Sequence, residues 1–453
     1  MVDLANLMNR HEGKTLEFKR DASSPAPLMK TLVAFANGSG GILLIGVEDQ
    51  TRHILGVPEP TRLEGQLASW IVDRIEPKLV PELLIVPWRN KNLVLVEVFP
   101  SPLRPHFLKT EGEANGVYVR IGSTNRKADP AQVAELKRQV LGRSFDEDPL
   151  PEKNSDELDF PAASESFAAK RKLVPGDLQT LNLVVRYQNR LVLTVGGLLL
   201  FGKERLKVFP DARIRAAVFV GKDRTQILDA QEITSHLPKA VDEVIAFVQR
   251  NTRRAIQVAG IRNEGIPGIP LIALREAVIN AVVHADYGQH GSPLRVAIFD
   301  DRLEIENPGG LPPGLTMDEV RQGASKLRNR VIGRVFHELG LIEQWGSGIQ
   351  RMTKACLDAG LPEPVLEEIG SGFRVTFGLI PVQKASLELL DQKILDLLEG
   401  STGMSTSQIS NEIKRSTRAT RDRLKRLVEL GLIREYGSSS RDPQKVFKLI
   451  GPA

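Results

Sequence analysis

Cysteine is nearly absent from this chain. Its 453 residues hold one, Cys356, which excludes an internal disulfide and fits a reducing cytoplasm. No apolar run approaches the ~20 residues that a membrane-spanning helix needs. The opening stretch, MVDLANLMNRHEGK, lacks the apolar core of an export signal. Seven scattered histidines give no metal-ligand spacing. The nearest approach, His284-Ala285-Asp286 with His290, has no Cys or second carboxylate beside it. No internal repeat is visible. The charge excess is small, +5, so where it sits matters more than its size. What remains is an ordinary core-forming composition, 41% apolar, over a length that suits two to four domains.

The most informative stretch is Leu274–Tyr287, LREAVINAVVHADY. Glu276, Asn280 and His284 recur every four residues and share one helix face, while Ala273, Ala277, Val278, Ala281 and Val282 cover the other. An amide oxygen is a hard ligand suited to Mg2+, and a carboxylate one turn away can orient a water toward a terminal phosphoryl group. The same pattern also suits an amphipathic surface helix. Two glycine turns follow. Asp301–Leu311 reads as a short strand, with Leu303 and Ile305 inward, that ends in Asn307-Pro308-Gly309-Gly310. Later, Trp345-Gly346-Ser347-Gly348-Ile349 opens a helix, and such turns bring backbone amides close to phosphates.

This combination resembles the ATPase fold of gyrase B, histidine kinases, MutL proteins and heat-shock chaperones. HADYGQ, ENPGG and GLIEQWGSGI are closest to its divergent branch in predicted transcriptional regulators that carry a RecG-like label. The resemblance implies ATP and Mg2+ as cofactors. It makes Glu276 the water-activating base, Asn280 the Mg2+ ligand and Asn307 the adenine reader, with Gly309, Gly346 and Gly348 lining the nucleotide. Two positions depart from the pattern. Asn307 stands where most of the superfamily has Asp, and Ala285 where the branch commonly has Arg. Binding of ATP is therefore expected ahead of brisk hydrolysis, and His284 is expected to pack or cap. Between the turns, Ser325–Arg334 (SKLRNRVIGR) carries Lys326, Arg328, Arg330 and Arg334. It reads either as a mobile lid over phosphates, with Arg328 among the nucleotide contacts, or as a solvated helix face.

The basic excess gathers near the end of the chain. Leu387–Leu398 is apolar at helical spacing. A short Ser-capped helix follows at Ser405–Ile413, and a third runs from Thr417 to Leu430 and stops at Gly431. Leu432–Arg434 and Val446–Leu449 read as strands around a loop that carries Arg441. This order resembles a winged helix-turn-helix. From Asn411 to Arg434 eight residues are basic and three acidic. The resemblance puts Arg418, Arg421, Lys425 and Arg426 toward a DNA major groove, with Leu424, Leu427 and Val428 toward the core and Arg441 on the wing. A winged helix used for protein contacts is the alternative.

At the front, EGKTLEFKR (Glu12–Arg20) precedes a helix over Leu28–Asn37 and a Gly-bounded buried strand within Gly40–Asp49. Further strands read at Leu93–Val98 and Val117–Ile121. ExxxxEFK, FANGSGGILLIGVED and YVRIGSTNRKA together resemble the Schlafen-type divergent Alba-like domain. In Schlafen nucleases three carboxylates cut RNA with a divalent metal, and by position these are Glu12, Glu17 and Asp49. The alternative is that Glu17 pairs with Lys19 or another base and that the domain only binds nucleic acid, through Arg120, Arg126 and Lys127.

Ser144–Ser166 is acidic and Pro/Ser-rich and reads as an extended connector that packs loosely. Beyond it, Leu191–Val195, Leu198–Phe201 and Ile214–Val220 read as strand-like, and Leu237–Thr252 as an amphipathic helix. The expected architecture is α+β and modular. Residues 1–143 form the Alba-like domain, 144–176 the connector, 177–382 the ATP-binding unit and 383–453 the winged helix. The expected function is a cytoplasmic ATP-binding transcriptional regulator whose nucleotide state rearranges its nucleic-acid-binding ends, with duplex DNA as its partner. A nucleotide-gated Schlafen-like endonuclease acting on RNA or DNA in defence or stress response is the second reading. An ATP-dimerised clamp, hence a homo-oligomer, is the third.

Overall fold

The computed structural model describes residues 4–49, 51–258, 268–342, 347–379, 389–399, 401, 403–429, 433–436 and 445–449. The architecture is α+β and multidomain, in two compact units, Met1–Ile380 and Pro381–Ala453.

The first unit begins with a four-stranded sheet. Leu16–Lys19 runs parallel to Gly41–Ile45, which pairs antiparallel with Lys91–Val98, and that strand with Glu82–Trp88. Successive residues of a strand face opposite sides. Leu43, Ile45, Val94 and Val96 therefore pack under the helices Pro25–Asn37 and Pro60–Arg74, while Leu44, Leu93 and Leu95 pack with Leu4, Leu7 and Phe18. Burial on both faces is why Gly41–Ile45 reads as an unbroken apolar run. A hairpin, Tyr118–Ile121 with Thr124–Lys127, turns at Gly122 (φ 59°).

The acidic segment is folded. It forms the strand Pro149–Asn154 and the helix Phe160–Phe167, and it contributes Leu158, Ala163 and Phe167 to the central core. Its acidic residues work as local caps. Asp159 accepts from the Ala162 amide at 3.1 Å and Glu157 from the Asn154 amide at 3.0 Å. Capping acids and solvated acids look alike in composition, which is how the stretch reads as a spacer.

Leu198–Phe201 is not a strand. It is the end of the helix Val195–Phe201, capped where the Thr194 hydroxyl accepts from the Gly197 amide at 2.9 Å. A short, wholly buried apolar run carries no periodicity to separate the two forms. The main sheet of this half has six strands, in the order Ile227–Ile233, Ile214–Phe219, Leu294–Ile298, Arg302–Pro308, Gly372–Gly378, Val365–Ile369. Only the pair Ile214–Phe219 and Leu294–Ile298 is parallel. The helix Leu271–His284 packs on Arg302–Pro308 and between the helices Leu237–Val258 and Gly348–Asp358. Leu274, Val278 and Val282 on its inner face are fully buried, each stabilising by about 1.5–3 kcal/mol.

The second unit holds the helices Leu389–Glu399, Thr406–Glu412 and Thr417–Glu429, with Met404–Ser405, Val446–Leu449 and Ile433–Tyr436 as a small sheet. A reciprocal cap at Ser405 and Gln408 starts the middle helix. Ile394, Leu398, Ile409, Leu424, Leu427, Ile433 and Phe447 form its core, with Val428 packed against it.

Candidate nucleotide and nucleic-acid sites

The 3.6-residue period puts Glu276 and Asn280 one turn apart on the half-buried side of their helix. Asn280 Nδ2 donates to Glu276 Oε1 at 3.1 Å, and Arg351 Nη2 lies 3.3 Å from Oε2. Gly348 is seated against that carboxylate, and a Cβ there would overlap it. Gly346 lies outside the described residues. His284, last on the helix, is held neutral at ordinary pH. Burial pulls its pKa down to about 4 and the Arg328 charge adds to the effect.

Asn307 is buried near the end of the strand Arg302–Pro308. Its Nδ2 donates to Pro308 O at 3.0 Å, which leaves Oδ1 as the atom suited to an amino group. Gly309 has φ 88°, and a Cβ there would come within 2.8 Å of the Asp286 Cβ and 3.2 Å of the Arg328 guanidinium carbon. Only glycine meets both demands. Arg328 Nη2 donates to Gly310 O at 2.6 Å and Nη1 stands 3.8 Å from Asp286.

The basic stretch between the turns is tethered at several points and is not a loose flap. Arg330–Glu338 is a helix. The wholly buried Asp146 carboxylate accepts from the Arg330 amide at 2.9 Å and the Ile332 amide at 2.9 Å. Lys326 Nζ donates to Pro313 O at 2.9 Å and Arg334 Nη1 to Thr180 O at 3.2 Å. Burial raises the Asp146 pKa to about 6, against the lowering effect of Ser144 and of the Ile332 and Val331 amides. Asn329 joins this stretch to the Glu276 helix, donating to Val283 O at 2.8 Å and Ala285 O at 2.7 Å. Neither Asp146 nor Asn329 stands out in the sequence. The only signal is that each precedes or faces a helix start.

In the front domain Glu12 and Asp49 share a hydrogen bond. Burial raises the Glu12 pKa to about 7. The Phe18 amide, 2.7 Å from Oε1, opposes this, while Asp49 and the Glu17 charge add to it. Glu17, buried, is neutralised from both sides, by Lys19 at 2.5 Å and by Arg120. Arg120 is therefore no surface contact for nucleic acid. Its side chain is 2% exposed, and the guanidinium bonds Gly13 O at 2.6 Å and Asn125 Oδ1 at 3.0 Å and lies over the Phe35 ring. A single basic residue in a strand gives no sign of which face it takes when both faces are covered. Arg126 and Lys127 are exposed, with Lys127 3.4 Å from Glu111.

In the second unit Arg418, Arg421, Lys425 and Arg426 are all exposed on Thr417–Glu429, while Leu424 and Leu427 face inward. Arg418, Arg421 and Lys425 follow i, i+3, i+7 spacing and share a face. Arg426 is also 3.9 Å from the buried Asp391, which binds Arg423 at 2.8 Å. Arg441 lies outside the described residues.

Three family models match the chain, each over its own stretch. Residues 12–129 match "Schlafen, AlbA_2", residues 291–377 match "Putative ATP-dependent DNA helicase recG C-terminal", and residues 387–434 match "Winged helix-turn-helix DNA-binding". The chain joins these three modules. The ATPase-like match begins after the Glu276 helix, so the reading of Glu276 and Asn280 stands on geometry. The DIP2311 protein from Corynebacterium diphtheriae is 20% identical over 96% of this chain and 79% of that one, with a TM-score of 0.43. The N-terminal domain of a RecG-related protein from Nitrosomonas europaea is 28% identical over 28% of this chain and 95% of that one, with a TM-score of 0.24. No curated protein matches. Among the described residues no helix is long and apolar enough to cross a membrane, and no group of three or more His, Cys, Asp or Glu is arranged to hold a metal.

A nucleotide fits the central residues on two counts. The turns at Gly309 and Gly348 admit no side chain, and Arg328 Nε is buried without a hydrogen-bond acceptor among the described residues.

Proposed function

We propose that the protein is an ATP-binding, DNA-binding transcriptional regulator of the cytoplasm whose nucleotide state alters how its nucleic-acid-binding ends are presented. The observation that carries this reading is the Glu276–Asn280 pair, seated against Gly348 on a helix that ends at the Asn307–Gly309 turn. Asn280 would supply an oxygen to Mg2+, Asn307 would accept from the adenine amino group, and Gly309, Gly346 and Gly348 would line the nucleotide. Arg328 would face the phosphates, and Glu276 would orient a water. Bound Mg2+ would screen phosphate charge. Arg351 beside Glu276 engages one of its carboxylate oxygens, which supports binding ahead of rapid turnover. In the front domain, neutralisation of Glu17 by Lys19 and Arg120 supports nucleic-acid binding through Arg126 and Lys127 ahead of cleavage, with RNA as a target besides DNA.

Calorimetry tests this directly. Mg-ATP should bind the wild type, Asn280→Ala should lose Mg2+-dependent binding, and Glu276→Ala should keep it. Undiminished Mg-ATP affinity in Asn280→Ala would overturn the assignment. Robust Mn2+-dependent cutting of RNA or DNA that vanishes in Glu12→Ala/Glu17→Ala would promote the nuclease reading.

A further inference from the structure

The glycine turn of the central domain is held in part by the front domain. Glu368, on the edge strand Val365–Ile369, spends its two carboxylate oxygens in different places. Oε1 accepts from the Leu311 amide at 2.8 Å, immediately after the Asn307–Gly310 turn, and a Cβ at Gly310 would stand only 2.5 Å from the same oxygen. Oε2 forms an ion pair with Lys14. Two further front-domain residues meet the same loop. Ser39 Oγ donates to Leu315 O at 3.1 Å, and a Cβ at Gly314 would lie 3.4 Å from Arg104 Nη2.

Lys14 is also well placed at its own end. It sits between Glu12 and Glu17, and its neighbour Gly13 gives its carbonyl to Arg120, the residue that neutralises Glu17. A short path of direct contacts thus runs from the front carboxylates through Arg120, Gly13 and Lys14 to Glu368 and the turn. We propose that Glu368 is a positioning residue for the nucleotide turn, and that its ion pair with Lys14 couples occupancy of that turn to the front-domain carboxylate segment. The proposal rests on the nucleotide reading above. Its physical basis is that one carboxylate bridging two bodies cannot follow one of them without loosening its hold on the other. Coupling of this kind is reciprocal, and a change of about fivefold is the scale expected.

Amide hydrogen exchange on the full chain tests it with and without Mg-ATP. Without nucleotide, Lys14→Met and, independently, Glu368→Gln should each speed exchange by about fivefold in residues 12–19. Lys14→Met should also speed it at 307–315, where Glu368→Gln keeps an acceptor for the Leu311 amide. With nucleotide, the wild type should gain protection in both segments and Lys14→Met in 307–315 alone. Unchanged exchange in both variants without nucleotide overturns the link. Protection of 307–315 in the wild type that never reaches 12–19 overturns the coupling and leaves nucleotide binding intact. If Mg-ATP protects neither segment, the nucleotide reading fails, and the nucleotide-free comparison still decides whether the bridge holds the turn. Both side chains are partly exposed, so either variant should fold, and circular dichroism checks that.

Discussion

Arg120 turns inward and neutralises Glu17 inside the front domain. One partner of the Glu12, Glu17 and Asp49 group is thus already satisfied by protein cations, Arg120 on one side and Lys19 on the other.

Removing that guanidinium should cost stability ahead of nucleic-acid affinity. Arg120→Ala leaves a buried carboxylate with one partner, a change that typically costs about 3–5 kcal/mol. Urea unfolding should show a loss of that order. Arg126→Ala/Lys127→Ala should leave the urea midpoint nearly unchanged and weaken nucleic-acid binding. The reverse pattern in the two variants would return Arg120 to the surface.

The raised pKa of Glu12 makes the front domain sensitive to pH. In the folded state the proton is held up to about pH 7, while the unfolded chain loses it near the ordinary glutamate value of 4.5. The unfolded state therefore binds fewer protons across that window, and stability falls as pH rises through it. Thermal melts should show a higher Tm at pH 5 than at pH 8 for the transition containing the front domain. Glu12→Gln should flatten that dependence and raise the Tm at pH 8. A slope unchanged in Glu12→Gln assigns the effect elsewhere, with the buried Asp146 as the first alternative.

Asp146 carries its own expectation. Asp146→Ala strands the amides of Arg330 and Ile332, each at a cost of about 1–3 kcal/mol when buried and unsatisfied. Asp146→Asn keeps one acceptor oxygen and should lose less. Equal urea midpoints for both variants and the wild type would show that water replaces the carboxylate.

For DNA, binding by the full chain should weaken steeply as salt rises. Arg418→Ala/Arg421→Ala should lower the salt slope by about 0.9 for each phosphate that is no longer neutralised. Lys393→Ala, on the first helix of that unit, should do little. Equal losses at all three positions would mean that general charge, and not an inserted helix, is responsible.

Much of this molecule is legible in its sequence because its signals are local. The Glu276–Asn280 period, the glycine turns and the Ser405 cap each follow from spacing within a few residues, and the winged helix from the order of such signals. What escapes is what long-range packing decides. Leu198–Phe201 is buried on all sides in the central core and so shows no period to mark it as helix, and Arg120 goes inward because Glu17, 103 positions away, needs a partner. The bond from Asp146 to the helix at Arg330 spans 184 positions, and no sequence pattern reaches that far.

The acidic stretch after residue 143 changes what counts as a separable piece of this protein. Leu158, Ala163 and Phe167 are bricks in the central wall, and Asp146 is the bolt on the Arg330 helix. A cleavage site or a flexible insert placed there would not release two finished halves. It would leave the central half with an open seam and an unseated helix beside its glycine turns. The stretch therefore has to stay with the central module for that module to close its core, whereas the winged helix brings its own core.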